Sequence, residues 1–349
     1  MTPRQAFVIG ALALALAGCG TATGVSGTPV AAPAAPTPCP TGSSTAQKLT
    51  NLDCRVTRLE SSPTSTPTVT PTVTPTVTPT VTPTVTPTVT PTTFPDAAST
   101  GVPTGTVLTA YTGPSVITTP NTVIDGKNIG CIQVTAPGVI IRRSHISCGA
   151  GGYAVTAYDG DYTGTPLLLE DDEIDCKNTS GTAVGEALVT VRRANIHGCE
   201  NGFDMNQAIT VEDSYIHDLY NTSVSHTDGI QLAYGHVTNG QVVPGALNIT
   251  ISHNTIYGVG ADGSLGTSAI ISNPSGDVNV LIQNNLLAGG AYTLYCDRPG
   301  SGTNYRVLDN HFSTRFSPKV GAYGPSDDCA NETQSGNVYH ESGAALSLP

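Results

Sequence analysis

The feature that most constrains the fold is an eight-residue template that recurs between residues 139 and 312. Its first, third and eighth positions are apolar in every copy. The copies are 139–146, 167–174, 189–196, 209–216, 249–256, 280–287 and 305–312. Period-two alternation predicts a strand, and the recurrence predicts that each turn of chain returns to the same place. Parallel strands stacked ~4.8 Å apart would bury an apolar column that no single turn could bury.

The polar positions of the template predict two ladders along the stack. The sixth position becomes asparagine in the later copies, at Asn254, Asn285 and Asn310. Stacked asparagines can hydrogen-bond from one turn to the next. The fourth and fifth positions read Arg142-Arg143, Glu170-Asp171, Arg192-Arg193 and Glu212-Asp213. Opposite charges on neighbouring turns predict cross-strand ion pairs, so the acidic run Glu170, Asp171 and Asp172 is interpreted as structural.

A second strand follows each template, and its third residue is predicted to point inward. These strands are 153–156, 182–185, 201–204, 228–231, 268–271 and 292–295. The residue before each inward one is small: Ala154, Ala183, Gly202, Gly229, Ala269 and Thr293. If these residues point outward, they form a shallow trough for a flat ligand. The residue after each inward one would give that trough a polar, partly aromatic wall.

The N-terminus has the layout of an export signal, with Arg4 before an apolar run that ends in small residues. Leu16 to Cys19 resembles the bacterial lipobox, which makes Cys19 the predicted lipidation site. We divide the chain into a lipoprotein signal peptide (1–18), a low-complexity segment (19–65), a Thr/Pro stalk (66–95) and a β-helix domain (96–349). The protein is therefore expected on the outer face of a bacterial membrane, held there by the lipid alone.

The stalk repeats Pro-Thr-Val-Thr, with proline at every fourth position from Pro67 to Pro91. Proline at this spacing blocks helix and sheet and favours an extended chain. At ~3.1 Å per residue, such a stretch reaches up to roughly 80 Å. We expect a disordered spacer that holds the domain away from the membrane.

Without Cys19, eight of the nine cysteines remain, an even number in an exported chain, which favours disulfides. Adjacent-turn geometry pairs Cys296 with Cys329, Cys176 with Cys199 and Cys131 with Cys148. Cys39 and Cys54, which precede the stalk, are left to pair with each other. No pair has zinc-ligand spacing, so no metal site is predicted. No cofactor is indicated, and a bound Ca²⁺ is left open without a clear motif.

The template resembles the pectate-lyase-like superfamily over residues 105 to 340. That resemblance implies an all-β fold, the right-handed parallel β-helix, with a substrate cleft along the second strand. Similar His-x-Asp-Gly-Ile-Gln stretches occur in β-helix proteins that act on polysaccharides. Here the stretch runs from His226 through Asp228 to Gln231. The partner implied is a polysaccharide or cell-wall glycan.

The candidate catalytic residues are His226, Asp228, Asp204 and Arg298. Gln231, Tyr295 and Asp297 are the candidate substrate-binding residues. A lyase or epimerase would use His226 as base and Arg298 to neutralise a substrate carboxylate. A hydrolase would use Asp204 and Asp228, at a separation of ~10 Å that is nearer the inverting type.

Other interpretations stay open at this point. The chain could be a non-catalytic glycan-binding or adhesive module that stacks sugars on tyrosines. A further outward column, Asp175, His197, His217 and Tyr257, could hold a metal or form a solvated polar ladder. The net charge of −12 and a pI near 4.9 exclude nucleic acid as a partner, because no basic patch could hold phosphates. We expect a monomer.

Overall fold

The computed structural model describes residues 93–149, 151–157, 164–233, 236–238, 241–243, 245–272, 276–296 and 303–349. The predicted signal peptide, Cys19, the Cys39 and Cys54 segment and the stalk up to residue 92 lie outside these residues. Asp297 and Arg298 lie outside them as well. The described residues form strands, turns and loops, and no helix occurs among them. None of them, accordingly, forms a helix long and apolar enough to cross a membrane.

Three stacks of parallel strands build the domain, one strand of each stack per turn of chain. We call them sheets 1, 2 and 3 in the order in which a turn visits them. Two long strands, Glu173–Arg192 and Asn195–Glu212, bend through all three sheets and pair with each other along their length. The chain is therefore a parallel β-solenoid, as the repeat predicts.

Sheets 1 and 2 contain the first and second halves of the template. Besides the two long strands, sheet 1 consists of Val123–Asp125, Ile140–Arg142, Leu167–Glu170, Leu247–Ser252, Val278–Gln283, Arg306–Leu308 and Thr333–Ser335. Sheet 2 consists of Thr109–Ala110, Lys127–Ile129, His145–Ser147, Tyr215–Ile216, Thr255–Gly258, Leu286–Gly289, His311–Phe312 and Val338–Tyr339. The structure thus adds a turn before the first predicted copy and another after the last.

Sheet 3 contains the second strand of each turn. It consists of Val116–Ile117, Ile132–Val134, Gly152–Ala157, Asp228–Leu232, Ser268–Ile271, Tyr292–Tyr295 and Gly324–Asp327, with the two long strands between the third and the fourth. A small antiparallel pair, His236–Thr238 with Gln241–Val243, is separate from the three sheets. The predicted register is confirmed, since Asn201 pairs with Asp228 and Asp204 with Gln231.

The core lies inside the coil, and the template predicts which residues enter it. The first, third and eighth residues of all seven copies are at most 2% exposed. The sixth residues are fully buried too, and the asparagine ladder is present: Asn254 Nδ2 donates to Asn285 Oδ1 at 3.0 Å, and Asn285 Nδ2 to Asn310 Oδ1 at 3.0 Å. Asn337, on the added turn, extends the ladder.

Three disulfides join neighbouring turns. They are Cys131–Cys148, Cys176–Cys199 and Cys296–Cys329, the pairs expected from adjacent-turn geometry. Their Cα atoms are 4.7 to 5.0 Å apart. Because that separation equals the spacing of stacked strands, each bond fits between two turns without moving the backbone.

The predicted trough of small residues is wrong. Ala154, Ala183, Ala269 and Thr293 are at most 1% exposed, and Gly202 and Gly229 are also buried. A Cβ added to Gly202 would lie 2.9 Å from the Ile216 side chain in sheet 2. The strands of sheet 3 bend here, so their second and third residues both face the core. Small side chains are needed because two sheets approach closely at this corner.

Candidate functional site

The outer face of sheet 3 carries the candidate site on two rows of side chains. The first row holds the first residue of each second strand: Tyr153, Thr182, Asn201, Asp228, Ser268, Tyr292 and Gly324. The second row holds the fourth: Thr156, Gly185, Asp204, Gln231, Ile271, Tyr295 and Asp327. Parallel pairing fixes the order within each row, so residues far apart in the chain become neighbours.

Two carboxyl groups lie near one tyrosine. The side chains of Asp204 and Glu186 are close enough to the Tyr153 hydroxyl to raise its pKa. Asp204 Oδ2 accepts a hydrogen bond from Thr182 Oγ1 at 3.1 Å, and Glu186 Oε2 accepts one from Asn206 Nδ2 at 2.7 Å. Both carboxyl groups are part-exposed, so a ligand on this face can reach them.

Burial raises the pKa of the Asp204 carboxyl, although its hydrogen bonds to Thr182, Asn201 and Tyr153 oppose that shift. Burial likewise raises the pKa of the Tyr153 hydroxyl, and the charges of Asp204 and Glu186 add to the effect. Tyr153 therefore stays a phenol.

A histidine and a buried aspartate form the second part of the site. His226 Nδ1 lies 2.8 Å from Asp228 Oδ2, and Ser268 Oγ donates to Asp228 Oδ1. The His226 side chain is 57% exposed, whereas that of Asp228 is fully buried. Asp228, predicted as an acid or base, is thus covered from solvent and contacts the exposed His226 ring.

The electrostatics of this pair follow from the burial of Asp228. Contact with Asp228 raises the pKa of His226, despite the opposing effect of desolvation. Desolvation raises the pKa of Asp228, although His226 and Ser268 both favour its charged form. Each group thus favours the ionised form of the other, and the His226 ring lies at the edge of the outer face.

Asn201 joins the two parts. Its Nδ2 donates to Asp204 Oδ1 at 3.2 Å and to Gln231 Oε1 at 3.1 Å. Its Oδ1 accepts from the backbone N–H of Asp228 at 3.1 Å. The structure therefore brings together four sequence-predicted residues (His226, Asp228, Asp204 and Gln231) through one amide that the sequence analysis passed over.

Tyr295 lies farther along the same face, in contact with another tyrosine. Its ring centre is 5.4 Å from that of Tyr292, and Tyr292 is 5.7 Å from Tyr323. The charge of Asp228 contributes to the raised pKa of Tyr295, for which burial is the main cause. The remaining candidates directly follow Cys296 and lie outside the described residues. They are Asp297, predicted to bind substrate, and Arg298, predicted to be catalytic.

The acidic triplet has structural partners. Arg193 forms ion pairs with Glu170 at 3.0 Å and with Asp171 at 2.6 Å. Asp172 is fully buried in the sixth-position ladder, where it accepts from the backbone N–H of Ser144 at 2.8 Å. Burial raises its pKa well above the usual range. The triplet is thus part of the scaffold.

One detail of the charge ladder differs from expectation. Arg142 and Arg143 both pair with Asp125, at 2.9 and 2.6 Å, and not with the acidic turn that follows them. Asp125 lies on the turn before the first template copy recognised in the sequence, so it was not among the residues compared between copies. Arg192 pairs with Glu212 as expected.

The polar column on sheet 2 is present but offers no complete metal site. His197 lies 3.8 Å from Asp175, and its ring centre is 5.6 Å from that of His217. Tyr257, next along, is 7% exposed and packs on Phe316. No group of three or more His, Cys, Asp or Glu side chains in the described part of the chain could hold a metal ion.

The sequence analysis missed Glu186 and the role of Tyr153. Glu186 occupies the fifth position of its strand, where the neighbouring turns have Ala157 and Met205. A carboxylate in an otherwise apolar column was the available signal.

Comparisons of the chain with protein-family models, with curated proteins and with solved structures find no match.

Proposed function

We propose that this protein is an exported, membrane-anchored polysaccharide-processing enzyme that hydrolyses glycosidic bonds on the outer face of sheet 3. The observation that carries the proposal is that Glu186 and Asp204 lie on neighbouring turns of sheet 3, both near the Tyr153 side chain. Glycosidases use two carboxyl groups, one protonated and one ionised, flanking the scissile bond. The raised pKa of Asp204 suits the protonated member.

The position of the pair favours retention of anomeric configuration. Gly185 pairs with Asp204 on the next turn, so Glu186 and Asp204 lie on neighbouring turns near the same tyrosine. Retaining glycosidases place their carboxyl groups about 5 to 5.5 Å apart, and inverting enzymes place them farther apart. Glu186 and Asp204 take the place of Asp204 and Asp228, the pair for which the sequence analysis estimated the longer, inverting type of separation.

The reaction then proceeds in two steps. Asp204 gives its proton to the glycosidic oxygen while Glu186 attacks the anomeric carbon, so the leaving sugar departs as an alcohol and a glycosyl ester forms. Asp204, now a carboxylate, takes a proton from water, and the resulting hydroxide displaces Glu186. Tyr153 and Thr182 orient the Asp204 carboxyl throughout.

The His226 and Asp228 pair supports a second candidate, elimination or epimerisation by proton abstraction. An exposed imidazole held by a buried carboxylate is a suitable base. That chemistry also needs a cation for a substrate carboxylate, the role assigned from sequence to Arg298. The pectate-lyase-like superfamily that the sequence resembles has a right-handed coil with its substrate cleft along the second strand, and this resemblance supports the choice of face. A non-catalytic glycan-binding module is the third candidate.

Three disulfides between turns support export to an oxidising compartment, which the N-terminal signal and Cys19 predict.

The test of the proposed activity is incubation of the mature chain with a panel of polysaccharides. New reducing ends mean hydrolysis, an unsaturated product means elimination, and binding without turnover means a binding module. Hydrolysis should show the anomeric configuration retained in the first product seen by NMR.

Two substitutions and a matched control locate the site. Glu186→Gln and Asp204→Asn should each lower turnover at least about 10²-fold with the fold intact. Glu173→Gln, the same change on sheet 2, should leave turnover unchanged. If Glu186→Gln and Asp204→Asn remain active while His226→Ala is inactive, the elimination candidate replaces hydrolysis.

A further inference from the structure

A cluster of tyrosines lies on the outer face of sheet 3 beyond the carboxyl pair. Tyr323 is 70% exposed, and it is the only aromatic residue among the exposed large hydrophobic side chains of the described chain. Its ring contacts Tyr292, which in turn contacts Tyr295. An exposed aromatic ring that already packs against another ring has few rotamers to lose when a ligand stacks on it.

Glycine positions this cluster. Tyr292 pairs with Gly324 on the next turn, and a Cβ at Gly324 would lie 3.3 Å from Cε1 of Tyr292. The Tyr292 ring therefore lies flat along the face, over a residue without a side chain. The turns of Asn201, Asp228, Ser268 and Tyr292 follow one another in the first row. Three steps of ~4.8 Å place the cluster about 14 Å from the turn of Asp204.

A polar recess of about 520 Å³ lies beside these turns. It is lined by side chains of Asn221, Thr222, Ser225, Asp262 and Thr267, and it reaches Ala291, the residue before Tyr292. Apart from the Asp262 carboxyl group, these hydroxyl and amide groups can donate and accept hydrogen bonds without carrying charge. Such a lining complements sugar hydroxyls.

The charge of the face restricts the ligand further. The described residues that pair in sheet 3 include Glu186, Asp204, Asp228 and Asp327 and no Lys or Arg; Lys177 and Arg192 lie on parts of the first long strand outside this sheet. A face with one sign of charge repels ligands of the same sign. A chain of uronic acids would bring a carboxylate with every sugar, so this face disfavours it.

We infer that the tyrosine cluster and the recess beside it form a binding subsite for a pyranose ring of an uncharged polysaccharide. The ring stacks on Tyr323, and its hydroxyls reach the neutral polar groups of the recess. A chain that extends from this subsite to Glu186 and Asp204 must be an oligosaccharide of several units. The inference rests on the proposed function, because it names the substrate class of the same face.

The test measures binding with the mature Glu186→Gln chain, so that no substrate is consumed. Calorimetric titrations compare neutral gluco-, manno-, xylo- and chito-oligosaccharides with oligogalacturonate and oligo-alginate of equal length. At least one neutral series should bind, and the uronates should bind more weakly. Tyr323→Ala should weaken that binding about threefold to tenfold.

Two control variants sharpen the result. Tyr323→Phe keeps the ring and should bind like the parent, which separates stacking from hydrogen bonding. Val107→Ala, at an exposed residue away from sheet 3, should also bind like the parent. Tighter binding of a uronate, no binding of any neutral series, or full affinity in Tyr323→Ala would each overturn the inference.

Turnover by the wild-type chain is scored separately. Neutral binding that depends on Tyr323, without turnover of any substrate, supports the subsite and contradicts the proposed hydrolase. Hydrolysis of a uronate polymer does the reverse, since it supports the hydrolase and overturns the substrate class.

Discussion

The ring of Tyr153 lies over Gly185, one turn farther along the solenoid. A Cβ built on Gly185 would overlap the ring, with Cδ1 of Tyr153 at only 2.8 Å. Because Gly185 has no side chain, the ring can cross its turn and bring the hydroxyl to Asp204 on the turn beyond. The fit of Tyr292 at Gly324 is looser, since a Cβ there would lie 3.3 Å from the Tyr292 ring, which is closer than ordinary contact but does not overlap the ring.

Gly185→Ala should therefore separate activity from stability. The new methyl group displaces the Tyr153 ring, which can rotate away because it is part-exposed, so the fold should survive. Asp204 and Glu186 then lose the nearby hydroxyl, and turnover should fall at least about tenfold. Thermal unfolding and turnover, measured on the same preparations, check this prediction.

Tyr153→Phe is the companion variant to Gly185→Ala. It removes the hydroxyl and leaves the ring in place, so it should reproduce the loss of turnover. A folded Gly185→Ala protein with normal turnover would show that the ring does not position the carboxyl pair, and if Gly185→Ala fails to fold, normal turnover in Tyr153→Phe would show the same.

Asp228→Asn should lower the pKa of His226. Contact with the Asp228 carboxylate raises that pKa in the wild type, and a neutral amide removes the attraction. The raised pKa stabilises the fold below the unfolded-state value of about 6.5, and this stabilisation is lost as pH rises through the folded value. In Asp228→Asn, stability should depend less on pH near neutrality. NMR titration of the histidines checks this, with His145 as an internal control.

Much of the scaffold could be predicted because a solenoid repeats its environment. Each copy of the template packs against equivalent residues of the neighbouring turns. A wrong superposition of the copies would therefore have given wrong burial predictions for every turn. The buried columns, the asparagine ladder and the three disulfides follow from stacking alone. The added turns were missed because Thr122 and Glu332 occupy the first template position, where the end of the coil no longer needs an apolar residue.

The site was harder to predict because it depends on departures from the repeat. Strict alternation assigns Glu186 to the core and Ala183 to the surface, and the bend in sheet 3 reverses both assignments. The motif from His226 to Gln231 was placed correctly, but the burial of Asp228 depends on the loops that cover its turn. Sequence spacing contains no information about that cover.

Asp172→Asn should stabilise the protein at neutral pH. Burial raises the pKa of Asp172 well above its ordinary value of 3.8, so its stabilising effect is complete only below that value and is lost as pH rises through the folded-state pKa. An amide in this position keeps an acceptor for the Ser144 N–H, as Asn254 does for Ser214, and gives up only the longer bond from the Glu170 N–H at 3.2 Å. The difference in unfolding free energy should grow from acid to neutral pH.

Asp171→Asn is the control for Asp172→Asn. It removes the part-exposed ion pair with Arg193, and should cost under about 1 kcal/mol. Denaturant unfolding at several pH values measures both variants. If the unfolding free energies of the two variants change equally with pH, the difference in burial between Asp171 and Asp172 has no effect on stability.

Removal of the Cys296–Cys329 bond by alanine substitution of both residues should lower the free energy of unfolding by about 2 to 4 kcal/mol. This bond closes a sequence separation of 33 residues, against 17 for Cys131–Cys148. Because each doubling of loop length adds about 0.6 kcal/mol, removal of the first should cost slightly more than removal of the second. Urea denaturation of the two double variants measures the difference, and the opposite order would show that strain or local fraying dominates chain entropy.

Asn285→Ala should destabilise the fold more than any substitution on the outer face. Asn285 is fully buried, accepts from the N–H and Nδ2 of Asn254, and donates to the Ile251 carbonyl and to Asn310. Alanine leaves these groups buried without partners, at about 1 to 3 kcal/mol each, so a total loss of at least about 3 kcal/mol is expected. The matched control is Asn279→Gly, which breaks an exposed asparagine ladder at a φ of 65° that glycine tolerates, and it should cost under about 1 kcal/mol. Equal losses in the two variants, measured by urea denaturation, would mean that the buried ladder does not hold the turns together.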